Sequence, residues 1–577
     1  VITILKNPRK RPKFLAYDLE WIPHKMTLRM CGVYDGDKYR WYETMDQFIS
    51  SELTHKRRGW WFYAHAGGLA DFQFVIERLT ALGYYVHGST SGSSVIIAHV
   101  SRAVWDHKKQ KMVAGKDRWH FVDSYWLLKD SLRNIGKWLG IAKGNEDESV
   151  EWYETAPWQE LRDYNEQDCR ILYGGIKMFE DTVYELGGQL RMTQASCAMD
   201  LFRRKFLTED IETSMQVNEV ARNAYFASRV EVYATECEDA YYYDVNSSFP
   251  YAMTMPMPGA LRGNYRKLPE WWSGPYLADV EVEVPDTYLP PLPRRMGGRL
   301  FFPVGKWRGW YSNIDIEVLL ASGGRVNKCH ESLTFDENED LRAYASELYE
   351  RRRKSEGFPR IAYKYLLNSL YGKFGESDQK SEVIVNPPEV LPEWVMTSPG
   401  IFIYEKVVEV PHMHVPIAVH VTAIARKTLY DYMGWSQELH YCDTDGFSTT
   451  SKYNDGDALG ALKLEKYIQK GRFVQAKVYD LVGTDAAGKP IHTIKAKGFS
   501  LGKDPAMSLA KFEKLLNHEE IEYTRMARIK ENARRGDFTP REAIFTKGIH
   551  EDSIGKRFFY PDGQSRPWHV DELEGAL

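Results

Sequence analysis

Two groups of acidic residues have types and spacings suited to chemistry. In "YDLEW" (17–21), Asp18 and Glu20 lie two apart. On a strand, period two sends both carboxylates to one face. Like charges 4 Å apart repel by about 4 kcal/mol at an effective dielectric of ~20. A bound Mg²⁺ or Mn²⁺ removes that penalty, and carboxylates suit these hard cations. A solvated strand edge would show the same DxE pattern. Asp71 opens a helical stretch after a Gly turn, and "YNEQD" sets Tyr164 and Asp168 at i and i+4 on one helical face. The second group contains "YCDTDG" (441–446), where Asp443 and Asp445 interrupt a strand-and-turn pattern. Asp244 follows a strand-like run in "YYYDVNSSFPYAM", and "KYLLNSLYGKFG" places Lys364, Asn368 and Tyr371 at i, i+4 and i+7 of a helix. A cation and a tyrosine on one face suit a phosphate tail below a flat base. An amphipathic helix with an exposed lysine explains less well the Asn-Ser pair inside it, since both are mediocre helix formers.

The elements that must position these residues can be read in outline. "KFLAYDLEW" reads as a buried strand, "GWWFYAHAGG" as a strand entering a Gly turn, and "ADFQFVIERLTALG" as a helix. Residues 155–186 read as long helices, so an α/β unit is expected over about 1–190. Residues 230–253 read as strand and then turn, and 254–312 are rich in Pro, Gly and Trp. A strong helical pattern runs over 336–375, interrupted near Gly357–Pro359, and 375–400 reads as short strands and turns.

At 577 residues the chain has room for about three or four domains. Hydrophobic content of 43% and charged content of 27% are those of a globular chain, and a net charge of −4 neither requires nor excludes nucleic acid, because phosphate affinity follows local basic patches. The six cysteines include no CxxC pair, which suits a reducing compartment and argues against a zinc site. The basic "VITILKNPRKRPKF" start lacks signal-peptide features, and "VPIAVHVTAIA" (415–425) is too short to span a bilayer. No membrane partner and a cytoplasmic location are therefore expected.

In this order, Asp18, Glu20, Asp71, Tyr164 and Asp168 resemble a proofreading 3′–5′ exonuclease of the DEDD type with a tyrosine-aligned water. Asp244, the Lys364 helix and "YCDTDG" resemble motifs A, B and C of family B DNA polymerases, closest to the short protein-primed branch of phages and linear plasmids. The resemblance covers about 14–500. It implies a multidomain α/β and α+β chain: a ribonuclease H-like exonuclease domain (1–190), then a right-hand polymerase. The latter would comprise a palm start with motif A (191–257), an insertion contacting the priming protein (258–335), fingers with motif B (336–375), an insertion for strand displacement and processivity (376–412), palm with motif C (413–500) and thumb (501–577). Two Mg²⁺ or Mn²⁺ ions are implied at each active site. The implied partners are primer–template DNA, dNTPs, a terminal priming protein and a single-stranded DNA-binding protein, with the chain a monomer.

By the same resemblance, Asp18, Glu20, Asp71 and Asp168 hold metals, Tyr164 orients water, Lys137 supports them and Ser124 touches the single strand. Asp244, the Val245 carbonyl and Asp445 hold the polymerase metals, with Asp443 behind them. Lys364 and Arg352 (or Arg353 or Lys354) face the triphosphate. Tyr371 packs beneath the base, Phe249 stands where relatives exclude a ribose 2′-hydroxyl, and Ser247 and Asn368 contact nucleotide. Tyr225, Thr422, Arg426, Lys477, Tyr479, Lys495 and Lys497 contact DNA. The chain departs from the pattern in three segments. Ala66 and Ala70 replace an Asn and a Phe, weakening the exonuclease unless His65 and Phe72 compensate. Ala227 and Ser228 replace a Gly pair, altering the exonuclease–polymerase balance if that segment needs positive φ or close approach of DNA. Gly446 replaces a Ser, which predicts a weaker grip on metal than in Gly446→Ser. The readings that compete with protein priming are priming by nucleic acid or de novo initiation, and an exonuclease or single-strand binder with an inactive polymerase half.

Overall fold

The computed structural model describes residues 1–144, 149–499, 501, 505–548 and 555–576; residue 500, the expected end of the palm, lies outside them. Among the described residues, three sheets organise the chain. The largest runs in the order Val395–Ser398, Ile401–Val407, Gln379–Val385, Tyr85–Ser91, Ser94–Asp106, Lys111–Asp123, Trp61–Ala64, Phe14–Ile22, Thr27–Tyr34, Tyr39–Tyr42. Phe14–Ile22 and Lys111–Asp123 run parallel to Trp61–Ala64 between them. Helix Trp158–Leu186 covers one face, with Leu161, Tyr164, Asn165, Asp168 and Ile171 on its buried side. Four of these positions follow the helical period of apolar burial, yet three are polar, which marks a site rather than a core. Helix Asp71–Ala81 covers the other face and begins at Asp71, as its spacing predicts.

The 376–412 segment, expected as a separate insertion, is built into this sheet. Gln379–Val385 pairs antiparallel with the edge strand Tyr85–Ser91, Val383 opposite Gly88, and buries Val383 and Val385 in the N-terminal domain's core. An exposed strand edge offers unpaired N–H and C=O groups, and this hairpin satisfies them.

The second sheet runs Pro490–Ala496, Val478–Asp485, Leu462–Gln475, Glu236–Val245, Gly446–Thr449, Leu439–Asp443, Val230–Val232. Helices Asp340–Lys354 and Gly357–Phe374 form an antiparallel pair, broken at Ser355–Glu356 close to the expected interruption. Helix Val415–Gly434 is buried beside them from Val415 to Arg426, and among the described residues no helix is long and apolar enough to cross a membrane. One core joins the helices of 158–201 to those of 340–374 and 415–434, so the two halves share packing.

The 258–335 segment forms its own four-stranded sheet, Met257–Tyr265, Arg325–Asn338, Tyr276–Val284, Gly305–Ser312. The span 501–577, expected as one thumb, divides. Helix Ile529–Arg535 lies on the N-terminal domain, where Asn532 donates to Gln73 Oε1 at 2.8 Å and Lys530 pairs with Glu405 at 2.9 Å. The stretch 555–576 instead returns to the 258–335 sheet, where Val570 joins the core and Arg294 pairs with Glu574.

Candidate active sites

The motif C acids sit on a hairpin turn between Leu439–Asp443 and Gly446–Thr449, beside Asp244 at the end of the next strand. Thr444 adopts φ +69°, Asp445 donates its N–H to the Asp443 carbonyl at 2.8 Å, and Val245 N–H donates to the Asp445 carbonyl at 2.8 Å. Ser247 (φ +53°) and Lys477 (φ +62°) are also left-handed. Non-glycine residues in this region are costly and collect at functional sites. Lys477 Nζ lies 2.9 Å from Asp443 Oδ1, and Thr444 Oγ1 donates to the same oxygen at 3.0 Å. Asp443 is thus engaged by protein, while Asp244 and Asp445 face a cavity of about 850 Å³. Burial, then Asp445 and Glu465, push Asp244 up to about 8. Burial, then Asp443 and Glu465, push Asp445 up to about 6.

The cavity gathers most of the expected nucleotide residues: Ser247, Phe249, Arg352, Arg353, Lys364, Asn368 and Tyr371. Phe249 and Tyr371 stack at 4.5 Å and 21°. Arg352 Nη1 donates to Ser247 Oγ at 2.9 Å, whereas Lys354 is exposed and pairs with Glu350, outside the cavity. Val245 has its side chain in the core. Arg360, Lys463 and Glu465 also line the cavity and were missed. Arg360 stands four before Lys364, so the helical period signals it. Glu465 faces the acids through a β-bulge between Leu464 and Lys466, which strand alternation does not reveal.

The other acids meet on the N-terminal sheet. Burial, then Glu20 and Asp168, push Asp18 well up. Burial raises Glu20 to about 7 against a lowering hydrogen bond from Asn165. Burial, then Asp18, raise Asp71. Asn165, absent from the expected set, is wholly buried, and its Nδ2 donates to the Asp18 carbonyl (3.1 Å), Asp18 Oδ2 (3.2 Å) and Glu20 Oε1 (3.1 Å). Its side chain occupies the space a Cβ on Gly32 would need.

Several expectations change here. Lys137 is exposed at the end of helix Leu132–Leu139; Lys143 instead lies 3.4 Å from Asp168 and over the Tyr164 ring. Ser124 is fully buried, donating to the Ala64 carbonyl and bonded to His65 Nδ1 at 3.0 Å, so it positions His65 rather than touching a strand. His65 also meets the Asp130 carbonyl at 2.7 Å, and burial lowers its pKa to about 4. Phe72 lies wholly in the core. With His65 engaged and Phe72 buried, neither replaces the side chains absent at Ala66 and Ala70. Ala66 holds the Gly turn at φ +55°, and Ala70 precedes the helix without a side-chain cap.

The DNA-contact set divides. Thr422 is buried and bonds to the Ala418 and Val419 carbonyls, and Arg426 is buried, paired with Asp315 at 2.9 Å and donating to the Phe226 carbonyl. Both are structural, because burial on a packed helix puts them beyond a phosphate backbone. Tyr479 is 4% exposed and packs on Tyr441 and Phe473; Lys495 sits over its ring, and Lys495 and Lys497 are exposed. Tyr225 lies half-buried against Gly375. Neither Ala227 nor Ser228 has positive φ, so a glycine pair is not needed for backbone conformation. Gly446 is required where it is: a Cβ there would meet the Tyr243 carbonyl at 2.9 Å and the Tyr242 ring at 3.0 Å. The tighter metal grip expected of Gly446→Ser would have to be gained against this crowding.

Both acid groups fit hard cations. Asp71 Oδ1 is buried without a hydrogen-bond partner, and burial, then a neighbouring carboxylate, raises the pKa of Asp71 and of Asp244, a penalty that a bound cation would relieve. Among the described residues no three such side chains close into a cage; Mg²⁺ commonly takes one or two carboxylates and completes its sphere with water and substrate phosphate.

The chain is similar to known proteins over most of its length. The family described as DNA polymerase type B, organellar and viral, matches residues 146–397. A probable DNA polymerase of Neurospora intermedia is 25% identical over 543 residues, covering 80% of this chain and 55% of that one. The DNA-directed DNA polymerase of Enterobacteria phage PRD1 is 24% identical over 541 residues, covering 85% of this chain and 86% of that one. The chain spans about half the length of the first relatives it matches. Phi29 DNA polymerase, solved with primer-template DNA and incoming nucleotide substrates, superposes with a TM-score of 0.72 at 18% identity, over 94% of this chain and 100% of that one. That likeness gives the fold: an N-terminal α/β domain followed by palm, fingers and thumb.

Proposed function

We propose that this chain, a relative of the organellar and viral type B DNA polymerases, copies DNA by nucleotidyl transfer and removes mispaired 3′ ends by hydrolysis. The observation that carries the reading is one cavity holding Asp244 and Asp445, a cationic helix face with Lys364 and Arg360, and the stacked Phe249–Tyr371 pair. Asp244 and Asp445 would hold Mg²⁺ or Mn²⁺. When bound, two such ions lower the pKa of the primer hydroxyl and offset charge on the leaving oxygen. Lys364, Arg352 and Arg360 bind the triphosphate and offset its charge. The Phe249–Tyr371 stack forms the floor under the base and sugar, and Phe249 excludes a 2′-hydroxyl by bulk. Lys477 keeps Asp443 off the ions and faces the primer end. In the N-terminal domain Asp18, Glu20, Asp71 and Asp168 would hold the second pair of ions. Tyr164, with Lys143 over its ring, orients the attacking water.

Protein priming and strand displacement are the finer reading. Its support is the motif resemblance and the two insertions, one forming its own sheet and one lengthening the N-terminal sheet. The test is template-directed incorporation with Mg²⁺ and dNTPs, with and without an oligonucleotide primer and a candidate terminal protein. Covalent dNMP on that protein is expected. Full activity in Asp445→Ala would refute the site, and extension that always needs a nucleic-acid primer would refute protein priming alone.

A further inference from the structure

The sheet that carries the motif C turn ends in a three-residue edge strand, Val230–Val232. This strand supports the turn: Asp443 pairs with Val230, Cys442 with Glu231, and Thr444 N–H donates to the Arg229 carbonyl at 2.9 Å. So short an edge has little ladder of its own. Side chains hold it instead. Arg229 donates Nε to Glu231 Oε2 at 2.7 Å and Nη1 to the Pro290 carbonyl at 2.8 Å, and Tyr233 OH donates to the same Glu231 oxygen at 2.8 Å.

Arg557 closes this cluster from the far end of the chain. It is among the largest wholly buried side chains, with its guanidinium 4.7 Å from the Tyr233 ring centre and 4.6 Å from that of Tyr288. Its Nε donates to Ser565 Oγ at 3.0 Å and its Nη2 to the Tyr288 carbonyl at 3.1 Å; Ser565 Oγ donates to the Tyr233 carbonyl at 2.6 Å. Burial works against the Glu231 charge, yet Arg229 and then Arg557 hold its carboxyl below the usual range. Attaching a C-terminal segment needs no buried guanidinium, since desolvating one is expensive and apolar packing serves as well. A buried, planar, doubly stacked arginine fixes geometry.

We propose that Arg557 is a positioning residue for nucleotidyl transfer, locking Tyr233, Glu231 and Arg229 so that the edge strand holds Asp443 and Asp445 in register with Asp244. The inference rests on the reading of that acid cluster as a polymerase site. It is tested on the full chain by primer extension on an oligonucleotide primer–template. In Arg557→Met, kcat is expected to fall about tenfold and the Mg²⁺ requirement to rise, as for other residues that orient metal ligands. The KM for dNTP and the hydrolysis of a single strand should hold, and Arg557→Lys should recover part of kcat. An unchanged kcat, or parallel loss of both activities with an unmoved Mg²⁺ requirement, overturns the proposal. Should Arg557→Met not fold, Ser565→Ala, which removes the hydroxyl joining Arg557 to Tyr233, is expected to show the same pattern at roughly threefold; no change there overturns it equally. If the wild-type chain incorporates no nucleotide, the polymerase reading fails and the clamp with it. Wild-type incorporation beside an unaffected Arg557→Met refutes the clamp alone.

Discussion

Asn165 offers the sharpest test of the N-terminal site, because the packing shows what it does and its neighbours show how to perturb it twice. Its amide bridges Asp18 and Glu20, and its Oδ1 accepts from Tyr39 OH at 2.9 Å. Hydrogen bonds to charged groups contribute about 1.5–3 kcal/mol each. The Nδ2 has two protons for three acceptors, so we count one full charged bond. At about 1.4 kcal/mol per factor of ten, Asn165→Ala should slow 3′–5′ hydrolysis by roughly tenfold to a hundredfold. The same bond lowers the Glu20 pKa against burial, so its loss raises that pKa further and moves the acid limb of exonuclease activity to higher pH. The assay is degradation of a 5′-labelled single strand across pH and Mg²⁺ concentration, with primer extension as the internal control. Gly32→Ala is the independent perturbation. Its Cβ would fall 1.5 Å from Asn165 Oδ1, which forces the amide out of place. Both variants should lose hydrolysis and keep extension. Equal loss of both activities would show that Asn165 only stabilises the core, and an intact exonuclease in Gly32→Ala would refute the geometry.

Three further outcomes are expected. Gly446→Ser should destabilise the chain by about 1–3 kcal/mol through overpacking against the Tyr243 carbonyl and Tyr242 ring, and should slow incorporation; a lower Mg²⁺ requirement in that variant would contradict this. Arg426→Met leaves Asp315 buried without its partner and should cost about 3–5 kcal/mol by denaturant unfolding, with the salt dependence of DNA binding unmoved. A shallower salt slope at unchanged stability would place Arg426 on a phosphate after all. Asp244 and Asp445 have folded pKa values of about 8 and about 6, against about 3.9 when unfolded. The folded chain therefore binds more protons between about pH 4 and 8, and metal-free stability falls as pH rises across that window. Melting without divalent ions should show this fall, Mg²⁺ should offset it most near pH 8, and Asp244→Asn should flatten it; an unflattened slope in that variant would be the contrary result.

Much of both sites was legible because local period and electrostatic need are written into neighbouring positions. Two acids two apart on a strand, Tyr164 and Asp168 one helical turn apart, and Lys364, Asn368 and Tyr371 on one face each specify a shared direction without any distant contact. Arg360, one helical turn before Lys364, belongs to that class. Partner choice is different, because it depends on which remote segments pack together. The resemblance points to Lys137, and only the path of the chain after helix Leu132–Leu139 brings Lys143 to Asp168 instead. Arg426 reads as a surface cation until Asp315 and the Phe226 carbonyl enclose it. Gly446 reads as a defect until the Tyr242 ring fills the space a side chain would take. The sequence by itself determined the residue types and the local geometry of two acid sites. Tertiary packing alone decided that Asn165 bridges the first, that Glu465 joins the second through a bulge, and that Arg557 closes behind its turn. Each of these depends on a contact between segments far apart in the chain, which no local period encodes.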